Sequence, residues 1–128
     1  MAGKTGGIMA DDLRIFLRLW AGDRKFGPGK VELLERIGQE GSISAAGRAM
    51  GMSYKRAWGL VEEMNTMFAT PLVESLRGGP GGGGARLTEA GAEAARQFRL
   101  LEARLAEAGA APLAVLAALM SGNMSGGK

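Results

Sequence analysis

The sequence contains no cysteine and no histidine. The first absence excludes disulfides, thiolate nucleophiles and zinc–thiolate sites. The second removes the commonest general base near neutral pH and the commonest metal ligand together. Glu62, Glu63 and the other acids show no pairing suited to acid–base work, and they read as solvated faces. Met50, Met52 and Met64 read as core residues, not as metal ligands. Long apolar runs are missing too. The longest near the C-terminus, 112–120, is too short to cross a bilayer. Residues 1–9 are glycine-rich and lack the apolar stretch of a secretory signal. A non-enzymatic, cytoplasmic protein with no cofactor, no metal and no membrane partner is the expectation.

What is present is one domain's worth of chain. The 128 residues, 46% of them hydrophobic, suffice for one modest core. The net charge of +3 and a pI near 9.7 give a mild basic bias. That bias suits a nucleic-acid partner without establishing one.

Residues 1–11 read as a loose tail. From Leu13 to Trp20 apolar and other residues alternate with period two, which predicts a strand. Residues 21–25 then turn the chain. Gly27-Pro28-Gly29 opens a helix, with Val31, Leu34 and Ile37 on one face and Leu33 widening it. Gly41 fits its left-handed stop. Ser42-Ile43-Ser44 supplies a cap for a short helix over 45–50, with Ser44 the preferred capping residue. Gly51 ends that helix, and Ser53 caps another running to about Phe68. Ala57, Leu60 or Val61, Met64 and Phe68 form its inner stripe. Pro71 bars continuation. Residues 72–77 and 85–87 then form a hairpin around the glycine-rich 78–84. Thr88 caps a long helix to about Ala108, and Pro112 starts a last short helix over 113–120, before a loose tail over 121–128.

A short helix, a glycine-containing turn and a second helix is the helix-turn-helix signature, and a hairpin directly behind it is a wing. The predicted fold is therefore mainly α with a small β wing. It is a winged helix-turn-helix domain over 12–108 that includes a long helix at 88–108, followed by a short apolar segment and tail over 109–128. Ser53, Tyr54, Lys55 and Arg56 place four donors at the start of the candidate recognition helix. Such a start reads bases in the major groove, and its free amides favour phosphate. Spacing alone allows an ordinary capped helix with solvated basic residues equally well. Ser42, Ser44 and Arg48 sit where a supporting helix crosses the DNA backbone. Arg77 and Arg86 flank the wing tip, where Gly82 and Gly83 allow close approach to DNA. Trp58 lies one turn beyond Tyr54 and reads as packing. The glycine loop is not a phosphate-binding loop of the nucleotide type, because no Gly-Lys-Ser/Thr follows it and no helix opens from it. Along the long helix, Leu87, Gly91, Ala94, Phe98, Leu101, Leu105 and Ala108 recur at heptad spacing. This predicts a homodimer seam centred on Phe98, Leu101 and Leu105, with the N-terminal half also serving the domain core.

Several runs together resemble a known family: Gly41-Ser42-Ile43-Ser44-Ala45-Ala46, Gly51-Met52-Ser53-Tyr54-Lys55-Arg56-Ala57-Trp58, Glu63-Met64-Asn65, Leu72-Val73-Glu74 and the glycine run through Ala85 with Leu87-Thr88 and Gly91. They resemble the DNA-binding domain of the ModE family of molybdate-responsive transcription regulators. More distantly, the region resembles the N-terminal domain of LysR-type regulators. The resemblance implies a sequence-specific regulator that binds a two-fold symmetric operator in double-stranded DNA as a homodimer. The implied targets are molybdate transport or molybdenum-related genes. It also favours DNA contact over the solvated-helix reading. Full-length family members carry a further oxyanion-binding module. The sequence has no room for it after the long helix, so the expectation is a regulator without its own molybdate site, acting either constitutively or through a separate effector or sensor protein. The alternatives are a winged-helix regulator unrelated to molybdate and a winged-helix protein-interaction adaptor.

Overall fold

The computed structural model describes residues 7–76 and 84–122. The elements run β1 (Leu19–Ala21), β2 (Arg24–Phe26), α1 (Pro28–Glu40), α2 (Ile43–Ala49), α3 (Tyr54–Met67), β3 (Val73–Leu76), β4 (Gly84–Leu87), α4 (Glu89–Ala108) and α5 (Ala110–Ser121). Among the described residues two compact units result, Leu17–Arg99 and the combination of 7–16 with 100–122.

The larger unit carries the winged helix-turn-helix fold expected from the sequence, within narrower bounds, Leu17–Arg99, than the expected 12–108. Pro28 occupies the first turn of α1, where its missing N–H costs nothing, and Gly41 ends the helix in the left-handed region at φ +72°. Between them Val31, Leu33, Leu34 and Ile37 are fully buried. They meet Ala46 of α2, Ala57, Val61 and Met64 of α3, and Leu72 and Val73 at the wing root. Burial of each large aliphatic side chain stabilises the fold by about 1.5–3 kcal/mol. Phe26 extends this core and packs edge-on against Phe68 and Phe98, with ring centroids 5.2 and 5.7 Å away.

The strand expected over Leu13–Trp20 is largely absent. Only Leu19–Ala21 pairs, with Arg24–Phe26, around a two-residue turn at Gly22 and Asp23. A ladder needs a partner, and with Gly27 capping the helix at Pro28 only Arg24–Phe26 is left to supply one. The alternation at 13–18 also fails to become alternate burial, since Ile15 and Phe16 are both exposed.

In the smaller unit, α5 is apolar on every side. Ala117 is its one buried residue among those described, while Val115, Leu116, Leu119 and Met120 are exposed. The 3-10 turn Ala10–Asp12 packs against it. No single helix among the described residues is long and apolar enough to cross a membrane.

Candidate nucleic-acid interface

The site is built on the crossing of α2 and α3. A cap closes the start of each helix. Ser42 Oγ accepts from the Ala45 amide at 3.0 Å, and Ser53 Oγ accepts from the Arg56 amide at 3.1 Å. The first cap corrects the sequence reading, which favoured Ser44. Helix α2 begins two residues earlier than expected, so Ser44 lies inside its first turn and its hydroxyl accepts from Arg48 Nη1 at 3.1 Å. The turn between the helices is tied back by the Gly51 and Met52 amides, which donate to the Arg48 and Gly47 carbonyls at 3.0 and 2.9 Å. Gly47 lets the helices touch, because a Cβ there would sit 2.8 Å from the Ala57 Cβ.

This crossing presents the N-terminal end of α3 outward. Ser53, Tyr54, Lys55 and Arg56 are all exposed. Among the described residues neither Lys55 nor Arg56 is held in an ion pair. The Tyr54 ring stacks on Trp58 at 6.3 Å with 14° between planes. Trp58 is half-buried against the core, as its packing role requires.

The wing reaches the same end of the molecule. Strands β3 and β4 pair antiparallel, with Val73 opposite Leu87, Glu74 opposite Arg86 and Ser75 opposite Ala85. Period two turns Val73 and Ala85 into the core and leaves Glu74 and Arg86 on the solvent face. The Gly41 carbonyl at the end of α1 accepts from the Ala85 amide at 3.0 Å, which pins β4 to the helix-turn-helix. Gly84 permits this approach, since a Cβ there would lie 2.7 Å from the same oxygen. A cleft of about 220 Å³ results, lined in part by Ser42, Ser44, Tyr54, Trp58, Ser75 and Ala85. The starts of α2 and α3 and the wing therefore share one surface.

Arg48 is exposed beside Ser44 on that framework. Arg86 is 66% exposed and donates through Nε to Glu74 Oε2 at 2.7 Å. Arg77, Gly82 and Gly83 lie outside the described residues. Phe98 requires a correction. Its side chain is 2% exposed within the chain's own core, so it is not available to a partner helix. Leu101 is 37% exposed and Leu105 is half-buried.

Sequence reasoning missed one residue that builds the site. Asn65, inside α3, donates through Nδ2 to the Val73 carbonyl at 3.0 Å. Its Oδ1 accepts from the Leu72 and Val73 amides at 2.8 and 3.1 Å. This one side chain fastens the wing root to the recognition helix. A short polar residue in a helix interior, where it is a poor helix former, was the available signal.

Helix crossing, exposed cationic helix start and wing define a winged helix-turn-helix domain. The family described as "Bacterial regulatory helix-turn-helix protein, lysR family" matches residues 29–92, half of the chain, and the chain belongs to this family. Over 88 residues it is 46% identical to the molybdenum-pterin-binding protein MopA of Rhodobacter capsulatus, covering 69% of this chain and 33% of that protein. It is 43% identical over 74 residues to the transcriptional regulator ModE of Yersinia pestis, covering 58% of this chain and 28% of the relative. The DNA-binding transcriptional dual regulator ModE of Escherichia coli K12 matches with the same identity and coverage. The ModE resemblance read from the motifs is thus borne out. The aligned region spans about a third of the length of these relatives.

Proposed function

We propose that this chain supplies the DNA-binding part of a cytoplasmic transcription regulator of ModE type, which acts as a homodimer on a two-fold symmetric operator of molybdenum-related genes. The observation that carries the reading is the exposed start of α3, where Lys55 and Arg56 stand free of ion pairs among the described residues, beside the wing. A side chain that exchanges water for a base edge or phosphate, with no protein partner to give up, gains the full charge-assisted contact. The name of the molybdenum-pterin-binding relative MopA supports the molybdenum link.

Selection of bound duplexes from a random pool, with and without molybdate, tests DNA binding, the symmetry of the operator and effector dependence together. Binding should weaken steeply as salt rises. Lys55→Ala and Arg56→Ala should each weaken operator binding by about 1–3 kcal/mol in a fluorescence anisotropy titration, with unfolding unchanged. Normal binding by both variants would remove α3 from the interface.

The dimer rests on Leu101 and Leu105 of α4 together with the exposed apolar residues of α5. An apolar surface of this kind is ordinarily covered in a soluble protein. A two-fold operator with half-sites one turn of duplex apart asks for recognition helices about 34 Å apart. In light scattering the wild type should run as a dimer, and Leu101→Glu combined with Leu105→Glu should run as a monomer at equal concentration, because each carboxylate would enter an apolar contact unpaired. A wild type that is monomeric at high micromolar concentration would rule the dimer out.

A further inference from the structure

The ion pair on the outer face of the wing has a specific geometry. Arg86 and Glu74 are directly opposed across the β3–β4 ladder. The carboxylate engages the guanidinium from the side, through Nε alone, at 2.7 Å. Nη1 and Nη2 have no hydrogen-bond partner among the described residues, and the arginine side chain is 66% exposed. A guanidinium held at Nε keeps its terminal fork free, and that fork matches two oxygens of a phosphate.

We infer that Glu74 is a positioning residue for DNA binding: it holds Arg86 from the side so that the Nη fork is presented to a backbone phosphate of the duplex. The inference rests on the DNA-binding reading above and deepens it. An exposed ion pair contributes little to folding stability. Its consequence for binding is different, because a long arginine side chain otherwise loses rotamer freedom when it grips a ligand. A carboxylate that orders the guanidinium beforehand removes part of that loss. The strand register makes the arrangement possible. Opposed residues on one face of an antiparallel pair lie close enough for Glu and Arg to meet. The hydrogen bond from the Ala85 amide to the Gly41 carbonyl and the Asn65 clamp on Leu72 and Val73 fix both strands against the domain.

A carboxylate near DNA also repels phosphate, so removing its charge alone strengthens binding. The test therefore compares two variants of equal charge. Glu74→Gln retains an oxygen that accepts from Nε, whereas Glu74→Ala retains nothing. Each is titrated by fluorescence anisotropy against labelled random-sequence duplex and against the selected operator, over a series of salt concentrations. Glu74→Gln should bind about threefold to tenfold more tightly than Glu74→Ala, with a salt slope steeper by up to about 0.9, the value for one phosphate contact. In an Arg86→Ala background the two should bind alike. Thermal melts should show all these variants folded, since both positions are exposed. If Glu74→Ala binds as tightly as Glu74→Gln, or more tightly, Glu74 does not position Arg86 and the inference fails. If the wild-type chain binds neither duplex, the DNA-binding reading itself fails.

Discussion

Replacing Gly91 by alanine is expected to destabilise the winged domain by about 3 kcal/mol or more, measured by urea denaturation. Gly91 lies in the first turn of α4, where its amide donates to Thr88 Oγ1 at 3.0 Å. A Cβ at this position would stand 2.1 Å from the Leu72 carbonyl oxygen and 2.9 Å from its carbon. These are backbone atoms, so no rotamer change relieves the contact. The oxygen is also fixed by the Thr88 amide, which donates to it at 2.9 Å, while Thr88 Oγ1 donates to the Pro71 carbonyl at 2.7 Å. The helix start and the wing root would have to part by roughly an ångström, which breaks these bonds and opens the core around Leu72. Helix propensity alone predicts the opposite sign, because alanine exceeds glycine by about 1 kcal/mol in a helix. An unchanged or raised stability would show that the close approach of α4 to Leu72 is wrong.

The second large effect is expected at Asn65. Asn65→Ala should lower stability by about 2–4 kcal/mol, because it leaves two amides and a carbonyl of the wing root without their partner. Leu72 is fully buried and Val73 is 4% exposed, so water does not replace the lost bonds cheaply. Asn65→Asp keeps an acceptor for the Leu72 and Val73 amides and loses only the donor to the Val73 carbonyl. It should fall between wild type and alanine. Hydrogen exchange gives the local reading: the Leu72 and Val73 amides should exchange faster in Asn65→Ala relative to those of α1. Equal protection in wild type and variant would mean that the clamp does not hold the wing.

Elements whose signals are local were legible before folding is considered. Gly27-Pro28 and Gly41 bound α1, Ser53 caps α3, Gly51 makes the turn, and Thr88 opens α4, each because one residue's backbone freedom or side-chain oxygen acts within a few positions of itself. The winged helix-turn-helix followed from the order of those elements, and the exposed cationic start of α3 followed from its cap and inner stripe. Whatever depends on residues far apart in sequence emerged in the folded chain alone. Period two over Leu13–Trp20 promised a strand, but the number of available partner residues set its length at three. Heptad spacing grouped Phe98 with Leu101, yet the packing of Phe26 against Phe98 assigned the aromatic ring to the chain's own core. The choice of Ser42 over Ser44 as cap turned on where α2 could begin while still burying Ile43 and Ala46. The Asn65 clamp, the Gly91 approach and the Glu74–Arg86 pair are contacts across elements. Spacing along one chain carries no record of which backbone will lie opposite, so these contacts exist only once helix, turn and wing are folded together.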